Sequence, residues 1–381
     1  MHRNLTESPS KASVLHVLTL NGESGVYGGP SQVAQNLCVA LNKAGYEASI
    51  LSGCLESDVL DKNGLGKFQS VQVKAIVKSQ PLTSLFSIKM LGELVRQIRS
   101  NDVVHIHFGR ELIPITAALI CLIFEKKYIL QTHGMIKKDK RKVIRILDLI
   151  IVRFLLRKSS RILALNQIEL RKLEHFSKSN IEILPNGIDL DVYQNLGVEK
   201  VNRVVFCSRI HQRKRPDLFV DAAIQIMEQY PEFSFEIYGP DGGGLQQLEN
   251  HINQKGFKLK DFYLGPLTHE ETIRKLAESL VSVLPSYEEP FPMVVLESLA
   301  AGTPVVVMPS CHISETLREI DSSFVSEDES AFGIANALRA QLKRLVNDPN
   351  FYETPKACLQ YFGQNAVCKE LIRVYENTLS R

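Results

Sequence analysis

Glu289 and Glu297 stand eight positions apart in VSVLPSYEEPFPMVVLESLAAGTPVVVM, residues 281–308. Val281 to Leu284 is a short apolar run that Pro285-Ser286 ends, and Glu288, Glu289 and Pro290 make a polar loop. Pro292 sits where a helix would start, which suits its fixed φ and missing N–H. The helix is expected to run to about Ala301, where Gly302-Thr303-Pro304 stops it, and Val305, Val306 and Val307 read as a buried parallel strand. A helix that opens just after a strand offers free N–H groups and the positive end of its dipole to an anion such as a phosphate. The two carboxylates have two readings. They could accept hydrogen bonds from hydroxyls of a sugar nucleotide, or Glu289 only complements the helix dipole and Glu297 is a surface acid.

Three further sets of residues could do chemistry. The loop SRIHQRKRP (208–216) follows the expected strand Arg203–Cys207 and precedes an expected helix Asp217–Tyr230. Arg209 and Lys214 in it are either phosphate-binding cations, Arg bidentate and Lys a point charge, or part of a solvated basic loop. His133 lies in Thr132-His133-Gly134 after the expected strand Tyr128–Gln131. Open parallel sheets bind ligands outside the carboxyl ends of their strands, so His133 is placed for function, or else it caps the loop as a satisfied histidine. His105 and His107, inside the expected strand Val103–His107, read as partly buried strand residues. Glycine loops with Gly22, Gly25, Gly28 and Gly29, and again from Gly239 to Gly244, permit positive φ and close approach of a ligand to backbone N–H groups. The first is not a GxGxxG pattern and fits a tight turn as well as a ligand cradle.

The elements that must position these residues alternate between strand and helix. Strand Val14–Leu20, glycine loop and helix Gln32–Asn42 open a doubly wound α/β domain. Strands Glu47–Leu51 and Val71–Val77, helix Ser84–Arg99, buried helix Leu112–Phe124, strand Ile162–Leu165, helix Gln167–Phe176 and strand Ile181–Leu184 complete it. A second series has strand Phe233–Tyr238, helix Gln246–Lys255, strand Phe262–Leu264, and helices Glu270–Ala277 and Ala331–Asn347. The chain ends in helix Asn365–Leu379. A length of 381 residues suits two domains, here 1–190 and 200–364.

Composition excludes several classes. With 44% hydrophobic and 23% charged residues the chain reads as soluble and globular. A net charge of +3 gives no argument for nucleic acid. The 7 cysteines are scattered, which argues for reduced thiols in a cytosolic protein. Met1 to Lys11 is polar, unlike a signal peptide, and the longest uncharged apolar run, Leu112 to Phe124, has 13 residues, too few to span a bilayer. The segment 137–158 carries nine Lys or Arg against two Asp and contains RILDLIIVRFLL. It is either a domain helix with a solvated basic end or a helix that lies in an anionic membrane surface.

The motif PSYEEPFPMVVLESLAAGTPVV resembles the donor site of retaining glycosyltransferases of family 4, P-S-x-x-E-x-F-G-x-x-x-x-E-A-x-A-x-G-x-P-V-V. Glu289 and Glu297 fall on its two acids. The resemblance implies that Glu289 serves the donor sugar, that Glu297 holds the ribose hydroxyls, and that Phe291, Pro292 and Met293 lie at the donor. Pro292 stands where the family has Gly, which removes a backbone donor there. SRIHQRKR resembles the segment G-R-L-x-x-x-K-G, with Arg209 and Lys214 on the cations that bind the donor diphosphate and Ser208 in place of Gly. Such cations stabilise the charge growing on the leaving group. Pro185-Asn186-Gly187-Ile188-Asp189 resembles the family's interdomain hinge. By the same resemblance His133 reaches the donor sugar, Gly28 and Gly29 face the donor phosphates and the acceptor, and Gly239 lies under the nucleotide.

The implied fold is GT-B: two doubly wound Rossmann-like domains facing across a cleft, with 1–190 on the acceptor side, 200–364 binding the donor, and helix 365–381 packing back on the first domain. The implied activity moves a sugar from a UDP- or GDP-sugar to a hydroxyl of a saccharide or lipid-linked acceptor, with retention, in surface polysaccharide or glycolipid synthesis. The setting would be cytoplasmic, at the inner face of the cell membrane if 137–158 binds lipid. No DxD or other metal-ligand cluster sits where phosphates should bind, so no metal or other cofactor is expected; Arg209, Lys214 and the helix start near Pro292 would replace it. No acid pair resembles the two-acid arrangement of a hydrolase. In the family the leaving phosphate itself helps deprotonate the acceptor, so no general base is nominated, and Glu315 stays unassigned. Two rivals remain: a sugar-nucleotide epimerase that turns over UDP-N-acetylglucosamine without acceptor, and a scaffold subunit that binds donor without transfer.

Overall fold

The computed structural model describes residues 11–21, 29–55, 67–77, 83–136, 141–178, 180–193, 196–321, 324–347 and 362–380. The chain divides into two compact units, Met1–Gly187 with Gln364–Arg381, and Ile188–Gly363.

The first unit is built on a seven-stranded sheet. Its strands are β1 (Lys11–Leu20), β2 (Tyr46–Cys54), β3 (Lys67–Gln72), then, after a two-strand hairpin of β4 (Lys74–Ala75) and β5 (Leu85–Phe86), β6 (Val103–His107), β7 (Lys127–Gln131), β8 (Arg161–Ala164) and β9 (Ile181–Ile183). The order is β3-β2-β1-β6-β7-β8-β9 and every pairing is parallel. Strand order reverses between β1 and β6, the place where such sheets bind ligands beyond the strands' carboxyl ends.

Apolar residues cover both faces. On one, α2 (Ile88–Ser100), α3 (Leu112–Ile123) and α5 (Arg153–Lys158) pack over Leu15, Val17, Val104, Ile106 and Leu130. On the other, α1 (Gly29–Lys43) and the C-terminal helix (Gln364–Leu379) pack over Val14, Leu18, Val103 and Ile129. Between α4 (Lys142–Leu147) and α5 the helix takes a π-turn over Asp148–Val152. Asp148 points inward to a bidentate pair with Arg110 (2.7 and 2.9 Å), whose Nη1 also donates to the Met135 carbonyl at 3.1 Å. Ile146, Leu149, Ile150 and Phe154 point outward and are exposed. Residues 137–140 of the expected basic segment lie outside the described residues.

Three expected elements move. The third strand is Lys67–Gln72 instead of Val71–Val77, because KFQSVQ pairs along β2 while Lys74–Ala75 turns into the hairpin. The helix expected from Ser84 starts at Ile88, where the Ser87 side chain caps the Met90 N–H at 3.1 Å. Phe262–Leu264 contributes one bridge, Ile237 to Tyr263, in place of a strand.

The second unit has a four-stranded parallel sheet in the order β11-β10-β12-β13, with β10 (Val201–Cys207), β11 (Ser234–Tyr238), β12 (Ser279–Leu284) and β13 (Val305–Val307). Helices α7 (Pro216–Ile226), α8 (Leu245–Gln254), α9 (His269–Glu278), α10 (Met293–Ala300), α11 (Ser314–Ile320) and α12 (Ala331–Asn347) wind around it. Phe206 of β10 meets Phe219 of α7 on one face, while Val205 and Cys207 pack with Leu276 of α9 on the other.

Candidate functional site

In the second unit the strand ends bring together the loops after β10, β11 and β12. Gln212–Lys214 forms a single 3-10 turn, which the His211 ring caps by accepting from the Arg213 N–H at 3.1 Å. The turn aims Lys214 at the loop after β12, where its Nζ lies 2.6 Å from Glu289 Oε2. Arg213 is a further cation, with Nη2 3.8 Å from the same oxygen. The sequence carried only a weak signal for it, its place in the run Arg213-Lys214-Arg215. Backbone bonds fix the loop: Tyr287 N–H to the Arg213 carbonyl and His312 N–H to the Glu289 carbonyl, both 3.0 Å. Phe291 anchors it edge-on against Phe362.

Burial alone would raise the Glu289 carboxyl, but the Lys214 ammonium beside it wins and holds it below the ordinary carboxylate range. Burial lowers the Lys214 ammonium, with the Glu289 carboxylate working against that. Glu289 is therefore ionised near neutrality. An ammonium has three donors and Glu289 takes one, so Lys214 can still meet a phosphate oxygen while Glu289 accepts from a hydroxyl. Glu289 is thus more than a complement to the helix dipole.

Pro292, with φ −83°, precedes Met293, the first residue of α10, and no side chain caps that helix start. Glu297 lies one turn further on and is half-buried instead of a surface acid. Burial raises its carboxyl, and His269 opposes that only in part. Among the described residues no group donates to it. Tyr193, buried in the Leu190–Tyr193 turn, is close enough to feel its charge.

Arg209 is exposed and its side chain lies over Gly242, where an added Cβ would come within 2.5 Å of Arg209 Cδ. Gly239 lets two loops touch: its φ is +146°, and a Cβ there would fall 1.9 Å from the Ser208 carbonyl oxygen. The glycine loop that follows is not open to a phosphate at every amide, because the Asp241 carboxylate accepts from the N–H groups of Gly243, Gly244 and Leu245 at 2.8, 3.1 and 3.1 Å.

The first unit carries a second candidate site, built from imidazoles. His16 of β1 lies opposite His105 of β6 in register. His16 Nδ1 is 3.1 Å from His107 Nε2, His107 Nδ1 is 2.7 Å from His133 Nε2, and His105 Nδ1 is 2.7 Å from the Tyr375 hydroxyl of the C-terminal helix. The rings stack at 4.7 to 5.4 Å. His105 and His107 are thus fully buried, not partly. Burial, reinforced by neighbouring rings, lowers His16 and His107 well below the usual imidazole value and His133 to about 3, and burial lowers His105 to about 3 as well. All four are neutral at physiological pH. His133 itself is in a left-handed turn, φ +48°. Gly29 opens α1, and Gly28 lies outside the described residues.

Two parallel sheets, each wound with helices, define a GT-B protein with two Rossmann-like domains. The chain belongs to the glycosyltransferases: residues 191–361 match the family of glycosyl transferases group 1, and residues 27–192 match glycosyltransferase family 4. Similar curated proteins include the D-inositol 3-phosphate glycosyltransferases of Corynebacterium aurimucosum (25% identical, covering 55% of this chain and 54% of that one) and Geodermatophilus obscurus (31% identical, covering 42% and 40%). The chain spans about half the length of the curated relatives it matches. Among solved structures, Anabaena HepE in complex with UDP superposes with a TM-score of 0.75 at 15% identity, covering 96% of this chain and 100% of that one. A glycosyltransferase from Rickettsia africae gives 0.72 at 14% identity, covering 97% and 99%.

Proposed function

We propose that this protein transfers a sugar from a nucleoside diphosphate donor to an acceptor hydroxyl, with retention of configuration. The observation that carries the reading is the Lys214–Glu289 pair, 2.6 Å apart, next to the uncapped start of α10, with Arg213 Nη2 3.8 Å from the same carboxylate oxygen. Lys214, Arg209 and the first N–H groups of α10 would take the diphosphate, Glu289 a hydroxyl of the sugar, and Glu297 the ribose hydroxyls. Gly239, Phe291, Pro292 and Met293 shape that site. The β-phosphate of the leaving diphosphate gains its second charge beside fixed cations, so these groups act most strongly in the transition state and take the place of a metal ion. His133, neutral and held rigidly, is the group of the first unit assigned to the donor sugar, and Gly28 and Gly29 open the acceptor side.

The donor is a UDP- or GDP-sugar; the UDP bound to the HepE neighbour favours uridine. The acceptor is a polyhydroxyl compound, as in the relatives named for inositol 3-phosphate, and the lipid-linked saccharide of a surface polymer suits a chain with an exposed apolar and basic helix. That helix, α4 through α5, would rest on an anionic membrane surface.

Thermal stabilisation by UDP-, GDP-, ADP- and CMP-sugars tests the donor reading. A ligand at about 100 times its dissociation constant adds roughly 2.7 kcal/mol. One nucleotide class should raise the Tm of the wild type and fail with Glu297→Ala, with EDTA making no difference. Stabilisation by none of them, or equal stabilisation of both proteins, would remove the roles given to this loop.

A further inference from the structure

The turn that carries His133 is held by a carboxylate for which the sequence alone gives no signal. Thr132-His133-Gly134 leaves β7 through two successive left-handed residues, with φ +48° at His133 and +71° at Gly134. A residue with a Cβ adopts that conformation at a cost and keeps it only where its surroundings over-determine it. Glu169, in the first turn of α6 (Gln167–Leu173) and only 3% exposed, supplies the determination. One of its oxygens accepts from the Thr132 hydroxyl and from the Gly134 N–H at 2.5 Å, on either side of His133. The other accepts from the Leu165 N–H at 2.7 Å, at the end of β8. Asn166 caps α6 by accepting from Glu169's own N–H at 2.9 Å, so the carboxylate is itself on a fixed base. Meanwhile His107 meets the His133 ring at 2.7 Å and His16 backs His107 at 3.1 Å. Backbone and ring of His133 are therefore fixed from opposite sides.

We propose that Glu169 is a positioning residue: it locks the left-handed turn and so, together with His107, selects the ring orientation and neutral tautomer with which His133 meets the donor sugar. The inference rests on the assignment of His133 to the donor sugar. Both oxygens are spent on three donors, and an amide cannot replace them, since its NH2 would face an N–H or an O–H.

The test uses Glu169→Gln and His133→Ala, singly and together, in the full chain. The first readout is acceptor-free release of UDP from UDP-glucose. Glu169→Gln should lower the turnover about tenfold or more, since small misplacements of a reacting group cost that much. The dissociation constant for UDP should not change, because the groups assigned to the nucleotide lie in the other unit. In the His133→Ala background the same substitution should add nothing, the coupling expected of residues that act as one. A merely structural Glu169 would lower turnover equally in both backgrounds, and that result overturns the proposal. The second readout needs no substrate: in protein labelled with 15N-histidine, the His133 signals, assigned by their loss in His133→Ala, should show one tautomer in the wild type and an averaged pair in Glu169→Gln. Unchanged signals overturn the proposal even if UDP-glucose is not turned over. Wild-type turnover in His133→Ala alone would instead end the donor-sugar assignment, and the positioning role with it.

Discussion

The two units solve the same problem with opposite chemistry. In the second unit the polar groups beyond the strands are charges: Lys214 and Arg213 lie 2.6 and 3.8 Å from the Glu289 carboxylate, which its cation keeps ionised. In the first, β1 and β6 themselves carry three neutral imidazoles and the turn after β7 the fourth, all so deeply buried that each has lost its ordinary affinity for a proton. Charges suit a ligand that is itself a dianion, and pairing inside the protein keeps them from costing more than they contribute before the ligand arrives. Neutral rings suit hydroxyls, to which they can donate or accept without an ion's desolvation penalty. The difference means that the second unit should answer to salt and charge reversal, and the first to acid.

Acid should therefore produce the largest effect and separate the units. A histidine whose folded pKa is depressed gives full stability above its unfolded value near 6.5 and loses it as pH falls toward the folded value, because only the unfolded chain takes up the proton. For a folded value of about 3, as at His105 and His133, the loss at pH 5 is about 2 kcal/mol each. Burial acts in the same direction at His16 and His107, so all four rings oppose the folded first unit in acid. Glu289, with its pKa lowered, contributes stability above its unfolded value near 4.5 and begins to lose it only below that. Between pH 6.5 and 4.5, then, amide protection relative to the intrinsic exchange rate at each pH should fall across β1, β6 and β7 while β10 to β13 stay protected. Simultaneous loss in both units would contradict the depressed values.

Removing one charge of the second unit comes next. Lys214→Ala leaves the Glu289 carboxylate, 8% exposed, with only Arg213 at 3.8 Å. Breaking a pair buried to that degree costs about 3–5 kcal/mol, and loss of a charge that stabilises a leaving group costs about 10²–10³ in turnover. Replacing both partners by apolar residues, Lys214→Met with Glu289→Leu, should restore much of the Tm and none of the turnover. A double variant that still transfers sugar would show that the pair is structural. The first unit admits no such separation, since its rings are part of the core.

That contrast also decides what could be read from sequence. Arg209, Lys214 and Glu289 sit in short loops bounded by clear apolar runs, so their neighbourhood follows from local order of strand, loop and helix. The doubly wound fold was legible for the same reason: Val103–His107 falls on its strand without adjustment, between a polar turn and Phe108-Gly109. His16 and His107 are 91 positions apart, and only the insertion of β1 between β2 and β6 makes them neighbours. No periodicity announces strand order, so the histidine array and the Glu169 clamp had no signal. Where local pattern failed, a tertiary partner won: KFQSVQ looks too polar for a strand, yet β2 offers it a complete ladder. Asp241 was hidden in the same way, a side chain filling the amides that its own glycines expose.

The smallest effect belongs to the first unit's outer surface, which reverses the rule of its interior. There the helix pair α4 and α5 exposes Leu149 and Ile150, each 64% exposed, and Phe154 between the cations Arg145, Arg153, Arg157 and Lys158. Inward the same helices bury Asp148, Val152, Leu155 and Leu156. Among the described residues no helix is long and apolar enough to cross a membrane. Seating two half-exposed apolar side chains in the headgroup layer is worth about 0.7 kcal/mol each, or about tenfold in binding together. Leu149→Ser with Phe154→Ser should thus weaken sedimentation with phosphatidylglycerol vesicles about tenfold and leave donor-induced stabilisation of the second unit untouched. Wild-type binding should also fall with salt, as a basic edge near anionic lipid requires. Equal binding to phosphatidylcholine and phosphatidylglycerol, or indifference to the double substitution, would make this stripe an ordinary exposed helix face and confine the protein's charge-driven recognition to the second unit.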